Sequence, residues 1–243
     1  MTAPPRAPEP IVALDVPTAA DAAALVDRLG PACGFYKVGL ELFTAAGPAV
    51  VEALRARDLD VFLDLKLHDI PNTVAGAARS AARLGVRLLT VHASGGGAMV
   101  RAAVEGFGAT DGGGVLAVTV LTSLDGPAVG AAWGRGAVDV PAEVLRLSAL
   151  AAESGAHGVV CAGSEAGAVR TRHGDAFATL VPGVRLAGDG AGDQRRVVTP
   201  AQAAQAGARY VVLGRTVTAA ADPAAALLRA TGELALAAGR AAR

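Results

Sequence analysis

Residues 61–74, VFLDLKLHDIPNTV, join the end of an apolar, strand-like run to the start of a helix. Pro71 suits the first turn of that helix, where its missing N–H removes no hydrogen bond. The alanine-rich stretch that follows ends at Gly85, as is typical of a helix stop. Three charged residues stand where the strand run ends: Asp64, Lys66 and Asp69. Because ionised groups are rarely buried without partners, this placement predicts a functional cluster at the strand end.

The same strand-like pattern occurs along the whole chain. The runs begin at Ile11, Phe35, Val61, Arg87, Val115, His157, Ala178 and Arg209. Most are nearly continuous in apolar residues, which is typical of strands buried on both faces of a parallel sheet. Helical segments lie between them, and helix N-cap patterns start at Thr18 and Thr199. Strand–helix units repeated over about 230 residues predict an α/β fold, a (β/α)8 TIM barrel, with a doubly wound open sheet as the alternative.

Composition limits the classes of protein to which the chain can belong. It has 243 residues, 52% hydrophobic and 18% charged, with a formal net charge of zero. We expect a disordered N-terminal tail over residues 1–10, which are rich in proline, and one barrel domain over residues 11–243. The zero net charge and an aromatic content of 3% argue against nucleic-acid binding. We expect a cytoplasmic protein with no membrane partner, because no apolar stretch is long enough to span a bilayer and residues 1–10 do not resemble a signal peptide.

The two cysteines, Cys33 and Cys161, both adjoin apolar runs. This position predicts buried, reduced thiols and no disulfide. The sequence contains no CxxC-type motif, so it indicates no metal site of that kind.

Polar residues recur where the strand runs end, which is the active-site face of such barrels. These residues are Asp15, Lys37, Asp64, Lys66, His92, Ser94, Thr122, Ser123, Arg185, Gly214 and Arg215. Asp64 and Lys66 are two apart in a strand, so we expect both side chains on one face. With Lys37, and with Asp69 as the balancing charge, they predict a cluster of alternating charges that keeps each group ionised.

The last strand-like run is followed by a candidate anion site. Gly214 and Arg215 adjoin a possible helix start, where backbone N–H groups and a guanidinium favour a phosphate. Arg185 and Gln194 flank a glycine-rich segment that we expect to fold over the same anion. An ordinary surface loop is the alternative, and the arginines at 195–196 are expected to be solvated.

Most of these residues also have a purely structural interpretation. Asp15 can cap the first helix, and Asp69 can stabilise a helix start through its dipole. Lys37 can extend its ammonium group out of the barrel mouth. His92 can be a hydrogen-bonded histidine at a strand end, and Thr122 can be a β-former at the rim.

Over residues 11–217 the chain resembles the bacterial orotidine 5′-phosphate decarboxylase family. The motif DLKLHDIPNTV carries this resemblance through its D-x-K-x-x-D-I core. The segments FYKVGLELF, TVHASGG, VPGVR, GDQRRVVTP and VLGRTV also match in order. The resemblance implies decarboxylation of orotidine 5′-phosphate to uridine 5′-phosphate, in pyrimidine biosynthesis, by a homodimer that uses neither a metal nor an organic cofactor.

The resemblance also implies a role for each matching position. Lys66 would donate a proton to the pyrimidine C6, Asp64 would face the substrate carboxylate, and Lys37 would hold Asp64 and the ribose. Asp69 and Thr73 would reach across the dimer interface into the partner's site. The other implied substrate-binding residues are Asp15 for the ribose, Thr122 for the pyrimidine, and Arg185, Gln194, Gly214 and Arg215 for the pyrimidine and the phosphate.

Two rival functions stay open at this point. A magnesium-dependent sugar-phosphate decarboxylase or aldolase of the same barrel group shares the D-x-K-x-x-D core, but typically has an acidic residue where Lys37 stands. A non-catalytic phosphate-binding barrel would not need a proton donor such as Lys66. One position departs from the family pattern: Leu186 stands where proline is expected, in a 185–195 segment that the resemblance implies is a closing lid.

Overall fold

The computed structural model describes residues 7–187 and 196–241. Its strands are all parallel and form a closed barrel in chain order, in which the first strand pairs with the last. The strands are β1 (Glu9–Ala13), β2 (Phe35–Gly39), β3 (Asp60–Leu67), β4 (Leu88–His92), β5 (Gly114–Val118), β6 (Gly158–Val160), β7 (Ala178–Val184) and β8 (Tyr210–Leu213). The predicted (β/α)8 TIM barrel is confirmed, and the open-sheet alternative is wrong.

Helices connect the strands around the outside of the barrel. They are α1 (Ala19–Leu29), α2 (Leu40–Ala46), α3 (Ala49–Arg55), α4 (Pro71–Arg83), α5 (Gly97–Phe107), α6 (Gly126–Ala132), α7 (Val140–Glu153), α8 (Gly163–His173), α9 (Pro200–Gln205), α10 (Arg215–Thr218) and α11 (Pro223–Ala241). Across the two described ranges, none of the helices has the length and apolar character needed to cross a bilayer.

Capping side chains start the helices where the sequence predicts. Thr18 Oγ1 accepts a hydrogen bond from the backbone N–H of Asp21 at 3.1 Å, at the start of α1. At the start of α9, Thr199 Oγ1 accepts from the Gln202 N–H at 3.2 Å, and Gln202 Oε1 accepts from the Thr199 N–H at 2.8 Å. These bonds satisfy N–H groups that have no partner within the helix, which explains why the helices begin there.

The structure shifts two boundaries that the sequence suggested. Strand β1 starts at Glu9, inside the predicted tail, because the Glu9 N–H bonds the Arg209 carbonyl at 2.9 Å. The composition of residues 123–140, rich in glycine, predicts a long loop, but this segment contains α6. Asp125 caps that helix by accepting from the Ala128 N–H at 3.0 Å.

The interior of the barrel follows the strand period of two. Its buried apolar residues are Ile11, Ala13, Phe35, Phe62, Leu88, Leu116, Val118, Val160, Ala178, Leu180, Tyr210 and Val212. Three of these strands continue to a polar residue two positions further on, which lies on the same inward face. The pairs are Ala13 and Asp15, Phe35 and Lys37, and Phe62 and Asp64. The alternation that fills the interior therefore also brings these polar side chains to the barrel mouth.

An ionic network closes the opposite, amino-terminal end of the barrel. The Arg87 guanidinium binds both carboxylate oxygens of Glu9, at 2.7 and 2.8 Å, and lies 3.0 Å from Asp60 Oδ2. Its Cζ atom lies 4.9 Å from the centroid of the Phe35 ring. Interactions at this end of a TIM barrel serve stability and leave the other face for chemistry.

Both cysteines are buried and unpaired within the described residues. Burial raises the pKa of the Cys33 and Cys161 thiols. The predicted burial of both thiols is therefore confirmed.

Candidate active site

A cavity of about 510 Å³ opens at the carboxyl ends of the strands. The sequence-predicted residues that line it are Asp15, Lys37, Asp64, Lys66, Thr122, Arg185, Gly214 and Arg215. They come from the strand ends, or from the loops behind them, of six of the eight β/α units. The closed barrel therefore gathers residues that are up to 200 positions apart in sequence, as Asp15 and Arg215 are.

Four of these side chains form a chain of alternating charges. Lys66 Nζ lies 2.8 Å from Asp64 Oδ1, Lys37 Nζ lies 3.6 Å from Asp64 Oδ2, and Lys37 Nζ donates to Asp15 Oδ1 at 2.8 Å. The Asp15 side chain is 62% exposed, whereas those of Lys37 and Asp64 are only 11% and 12% exposed. The Asp64 carboxylate thus lies between two ammonium groups, the buried one of Lys37 and the half-buried one of Lys66.

The two lysines keep Asp64 ionised. Burial alone would raise the pKa of its carboxyl group, but Lys37 and Lys66 together with hydrogen bonds outweigh burial, and the net pKa is lowered. Asp64 therefore carries its negative charge in the floor of the cavity at neutral pH. A second negative charge brought close to it would be repelled.

The backbone at Lys66 is distorted to bring its ammonium group to Asp64. Lys66 has φ +50°, in the left-handed region, and the pairing of β3 with β4 shifts register between Leu63 and Leu67. This conformation costs about 1–2 kcal/mol for a residue with a Cβ atom. The sequence placed Asp64 and Lys66 on one face of a regular strand. The structure brings the two side chains together through this irregularity instead.

Thr90 on β4 supports both charged residues. Its Oγ1 accepts the Lys66 N–H at 2.9 Å and donates to Asp64 Oδ1 at 2.9 Å. The hydroxyl thus replaces a backbone acceptor where the strand pairing is interrupted. Sequence reasoning missed Thr90, although a lone hydroxyl inside the apolar run LLTVH was a signal for it.

Gly39 is a second functional position that sequence reasoning missed. A Cβ atom at this position would lie 2.8 Å from Lys37 Nζ and 3.3 Å from Asp15 Oδ1. A Cβ atom there would push the Lys37 ammonium group away from Asp15, so glycine leaves room for their ion pair. The signal was a glycine that directly follows the strand run FYKV.

His92, at the end of β4, lies beside the cluster. Its ring centroid is 5.3 Å from that of His68. Burial is the main cause of a lowered pKa of His92, and the nearby His68 and Lys66 lower it further. The imidazole is therefore neutral at neutral pH and adds no third positive charge next to Lys66.

Two arginines and the end of β7 form another part of the cavity wall. Arg185 is buried, and its backbone N–H donates to the Val198 carbonyl at 3.0 Å. Arg215 begins α10 directly after Gly214. The Leu186 N–H donates to Thr216 Oγ1 at 3.1 Å, and a proline at position 186 would have no N–H for this bond. Leucine at position 186, where the family pattern has proline, therefore keeps an N–H group that joins the end of β7 to the helix after β8.

Three predicted site residues are not part of this cluster. Asp69 and Thr73 are exposed and lie outside the residues that line the cavity, and Asp69 Oδ1 accepts from the Ile70 N–H at 2.6 Å. Within one chain, the second negative charge of the cluster comes from Asp15, which pairs with Lys37, and not from Asp69 as the sequence predicted. Gln194 lies outside the described residues.

The expectation that both arginines at 195–196 are solvated is wrong for Arg196. Its Nη1 lies 2.5 Å from Oε1 of Glu165, whose side chain is only 6% exposed. Sequence reasoning could not pair these two residues, because they lie 31 positions apart, Glu165 in the first turn of α8 and Arg196 in the segment before α9. Arg195 lies outside the described residues.

The chain carries its cations almost entirely on arginine. Lys37 and Lys66 are its only lysines, and its 20 other cationic side chains are arginines. An arginine cannot give up its proton under ordinary conditions, whereas a lysine can. The two lysines are therefore the cationic side chains suited to proton transfer. Among the described residues, no three His, Cys, Asp or Glu side chains are grouped so that they could hold a metal ion.

Comparisons with known proteins agree with this geometry. The family profile described as "Orotidine 5'-phosphate decarboxylase / HUMPS family" matches residues 8–230. A protein of Halorhodospira halophila named orotidine 5′-phosphate decarboxylase is 51% identical over 235 residues, which cover 96% of this chain and 98% of that protein. One of the same name from Anaeromyxobacter sp. is 55% identical over 214 residues, which cover 88% of this chain and 92% of that protein.

Solved structures show the same likeness. The crystal structure of orotidine 5′-phosphate decarboxylase from Lactobacillus acidophilus superposes with a TM-score of 0.82 at 36% identity, and the match covers 94% of this chain and 99% of that one. The resemblance inferred from the sequence motifs is confirmed.

Proposed function

Because the chain belongs to the orotidine 5′-phosphate decarboxylase / HUMPS family, we propose that it converts orotidine 5′-phosphate to uridine 5′-phosphate and CO2. The observation that carries the proposal is the Lys66–Asp64–Lys37 arrangement in a cavity that also contains two arginines. We further propose that the reaction uses neither a metal ion nor an organic cofactor, and that the enzyme acts in pyrimidine biosynthesis.

The substrate would bind through groups at both sides of the cavity. Arg185 and Arg215 offer guanidinium groups, which bind phosphate oxygens in bidentate fashion. Asp15 and Lys37 would hold the ribose hydroxyls, and Thr122 would contact the pyrimidine. Phosphate binding is remote from the bond that breaks, so its binding energy can hold the pyrimidine carboxylate against the Asp64 charge.

The chemical step would follow from the charges beside Asp64. The bond between C6 and the carboxylate breaks, CO2 leaves, and the electron pair stays on C6 as a carbanion. The Lys66 ammonium, held 2.8 Å from Asp64 Oδ1, stabilises this developing charge and then gives its proton to C6. The neutral amine afterwards takes a proton from solvent. Repulsion between Asp64 and the substrate carboxylate would raise the ground-state energy.

The choice of lysine supports this proton transfer. A site that only needed positive charge would be served by arginine, which the chain uses at every cationic position other than Lys37 and Lys66. A proton donor must lose its proton within the catalytic cycle, and a guanidinium does not do so. This difference weighs against a non-catalytic phosphate-binding barrel.

We also propose that the protein is a homodimer in which Asp69 and Thr73 complete the partner's site. Both are exposed beside Ile70, an apolar side chain that is 66% exposed. Mixing inactive Lys66→Ala and Asp69→Ala chains tests this arrangement. If Asp69 serves the partner, each mixed dimer has one intact site, and about a quarter of the wild-type activity returns. No recovery after subunit exchange would contradict shared sites.

The assay for the proposed function follows the loss of orotidine 5′-phosphate absorbance and identifies uridine 5′-phosphate as the product. Parallel reactions contain sugar phosphates and magnesium, the substrates of the rival barrel enzymes. We expect turnover of the nucleotide alone. Turnover of a sugar phosphate that requires magnesium would establish the rival function.

A further inference from the structure

The segment 196–198 contacts the cavity wall on two sides, although its side chains do not line the cavity. We propose that Arg196 is a positioning residue, which sets the Leu121–Ser123 rim and the Arg185 backbone relative to each other. This inference rests on the proposed function, because these groups are its pyrimidine and phosphate ligands.

The first contact fixes Arg196 to a rigid part of the barrel. Its Nη1 lies 2.5 Å from Glu165 Oε1, and the two side chains are 21% and 6% exposed. Glu165 is itself held at the start of α8, where Oε2 accepts the Ala162 N–H at 2.9 Å and Oε1 accepts from Ser164 Oγ at 2.9 Å. A carboxylate that accepts three hydrogen bonds has little freedom to move, so it gives the guanidinium a fixed anchor.

The second contact joins the same guanidinium to the rim of the cavity. Arg196 Nη2 donates to the Leu121 carbonyl at 3.3 Å. That carbonyl also accepts the Leu124 N–H at 3.0 Å, which makes it part of the turn that carries Thr122 and Ser123. Leu121, Thr122 and Ser123 all line the cavity, so a shift of this turn moves the predicted pyrimidine contact.

The third contact runs through Val198. Its carbonyl accepts the Arg185 N–H at 3.0 Å, and Val198 pairs with Val184 as an isolated parallel bridge. Val198 also packs closely on α8, because a Cβ atom added to Gly163 would lie 2.5 Å from Val198 Cγ1. The first turn of α8 therefore fixes both the rim after β5 and the end of β7 through three consecutive residues.

The geometry explains why this position holds arginine. The two terminal nitrogens of a guanidinium bond the Glu165 carboxylate and the Leu121 carbonyl at the same time. The single ammonium of a lysine can keep the ion pair with Glu165, but cannot also span to Leu121. Arg196→Lys therefore keeps the ion pair with Glu165 and removes only the hydrogen bond to the Leu121 carbonyl.

The test compares Arg196→Gln and Arg196→Lys with a matched control, Arg146→Gln. Arg146 also pairs with a buried glutamate, Glu143, but does not line the cavity or contact its rim residues. We expect kcat/KM for orotidine 5′-phosphate to fall about 10- to 100-fold in both Arg196 variants, as for other misplaced contacts. Arg146→Gln should stay within about twofold of the wild type. Arg196→Lys should unfold at nearly the wild-type temperature, although its activity remains low.

Backbone amide exchange gives a readout that needs no turnover. Peptides that cover residues 119–125 should exchange faster in both Arg196 variants, and at the wild-type rate in Arg146→Gln. If Arg196→Lys restores both thermal stability and kcat/KM, or if exchange of residues 119–125 is unchanged in Arg196→Gln, the positioning role is wrong. If the wild-type protein does not turn over orotidine 5′-phosphate, the proposed function fails, and the exchange data alone still decide whether Arg196 positions the rim.

Discussion

Replacing Lys66 by alanine removes the ammonium group and keeps the rest of the site. Loss of a preorganised electrostatic partner typically costs about 10²–10³ in rate. Loss of a general acid costs about 10²–10⁴. Because Lys66 is assigned both roles, we expect kcat/KM to fall by about 10⁴ or more, which corresponds to about 5–6 kcal/mol of transition-state stabilisation.

The same substitution should leave the protein folded. Asp64 loses the 2.8 Å ion pair, but keeps the Thr90 hydrogen bond at 2.9 Å and the Lys37 ammonium at 3.6 Å. The strain of the positive φ at position 66 is unchanged, because alanine also has a Cβ atom. We expect a loss of about 1–3 kcal/mol in the free energy of unfolding, against a total of about 5–15 kcal/mol for a domain.

Two measurements on three proteins check this prediction. Urea unfolding of the wild type, Lys66→Ala and Lys66→Arg gives the stabilities, and single-turnover absorbance changes with orotidine 5′-phosphate give the rates. Lys66→Arg keeps the positive charge next to Asp64 but cannot donate its proton, so it should also be nearly inactive. Turnover by a folded Lys66→Ala within about tenfold of the wild type would show that Lys66 supplies neither role.

Four further substitutions test other parts of the site and the barrel. Thr90→Val should lower the free energy of unfolding, measured in urea, by about 1–3 kcal/mol and should lower kcat, since the Lys66 N–H and Asp64 lose a partner. Thr179→Val should leave the free energy of unfolding unchanged or raise it, because Thr179 Oγ1 is buried without a partner among the described residues. Burial and two nearby arginines lower the pKa of His157 in the folded protein. The folded state therefore has its full stability above the pKa of an unfolded histidine, about 6.5, and loses stability as the pH falls and His157 must take up a proton. His157→Gln removes this group and should flatten the pH dependence of the free energy of unfolding. Arg215→Ala should raise KM about 10- to 100-fold with a smaller change in kcat, because a charged hydrogen bond to phosphate is lost.

Each of these predictions has an outcome that contradicts it. Equal destabilisation by Thr90→Val and Thr179→Val would remove the special role of Thr90. Parallel stability curves for the wild type and His157→Gln between pH 5 and pH 7 would show that His157 is not held neutral by the fold. An unchanged KM in Arg215→Ala would remove Arg215 from the phosphate site.

Repeating local patterns in the sequence predicted much of the fold and the position of the main charged residues of the site. All eight strands lie where apolar runs indicated them, because strands buried on both faces leave a nearly continuous apolar pattern. The period of two then placed Lys37 and Asp64 on the inward face, two residues beyond Phe35 and Phe62. The motif around Lys66 resembled a known family, which named roles that periodicity alone does not contain.

The contacts that the sequence did not indicate depend on distances between strands and loops. Thr90 takes its role only because β3 is irregular at Lys66, and the pattern of apolar residues does not show that irregularity. Arg196 finds Glu165 and Leu121 only after the barrel has closed. Asp69 was assigned to the charge cluster because it is near in sequence, whereas Asp15, far away in sequence, lies beside Lys37.

The proposed metal-free decarboxylation is tested by incubating the purified protein with orotidine 5′-phosphate, with and without a chelator such as EDTA. We expect formation of uridine 5′-phosphate and CO2 at the same rate in both reactions, because Lys66 and Asp64 supply the chemistry. Binding of the nucleotide without any product, or activity that disappears with the chelator and returns with magnesium, would contradict it.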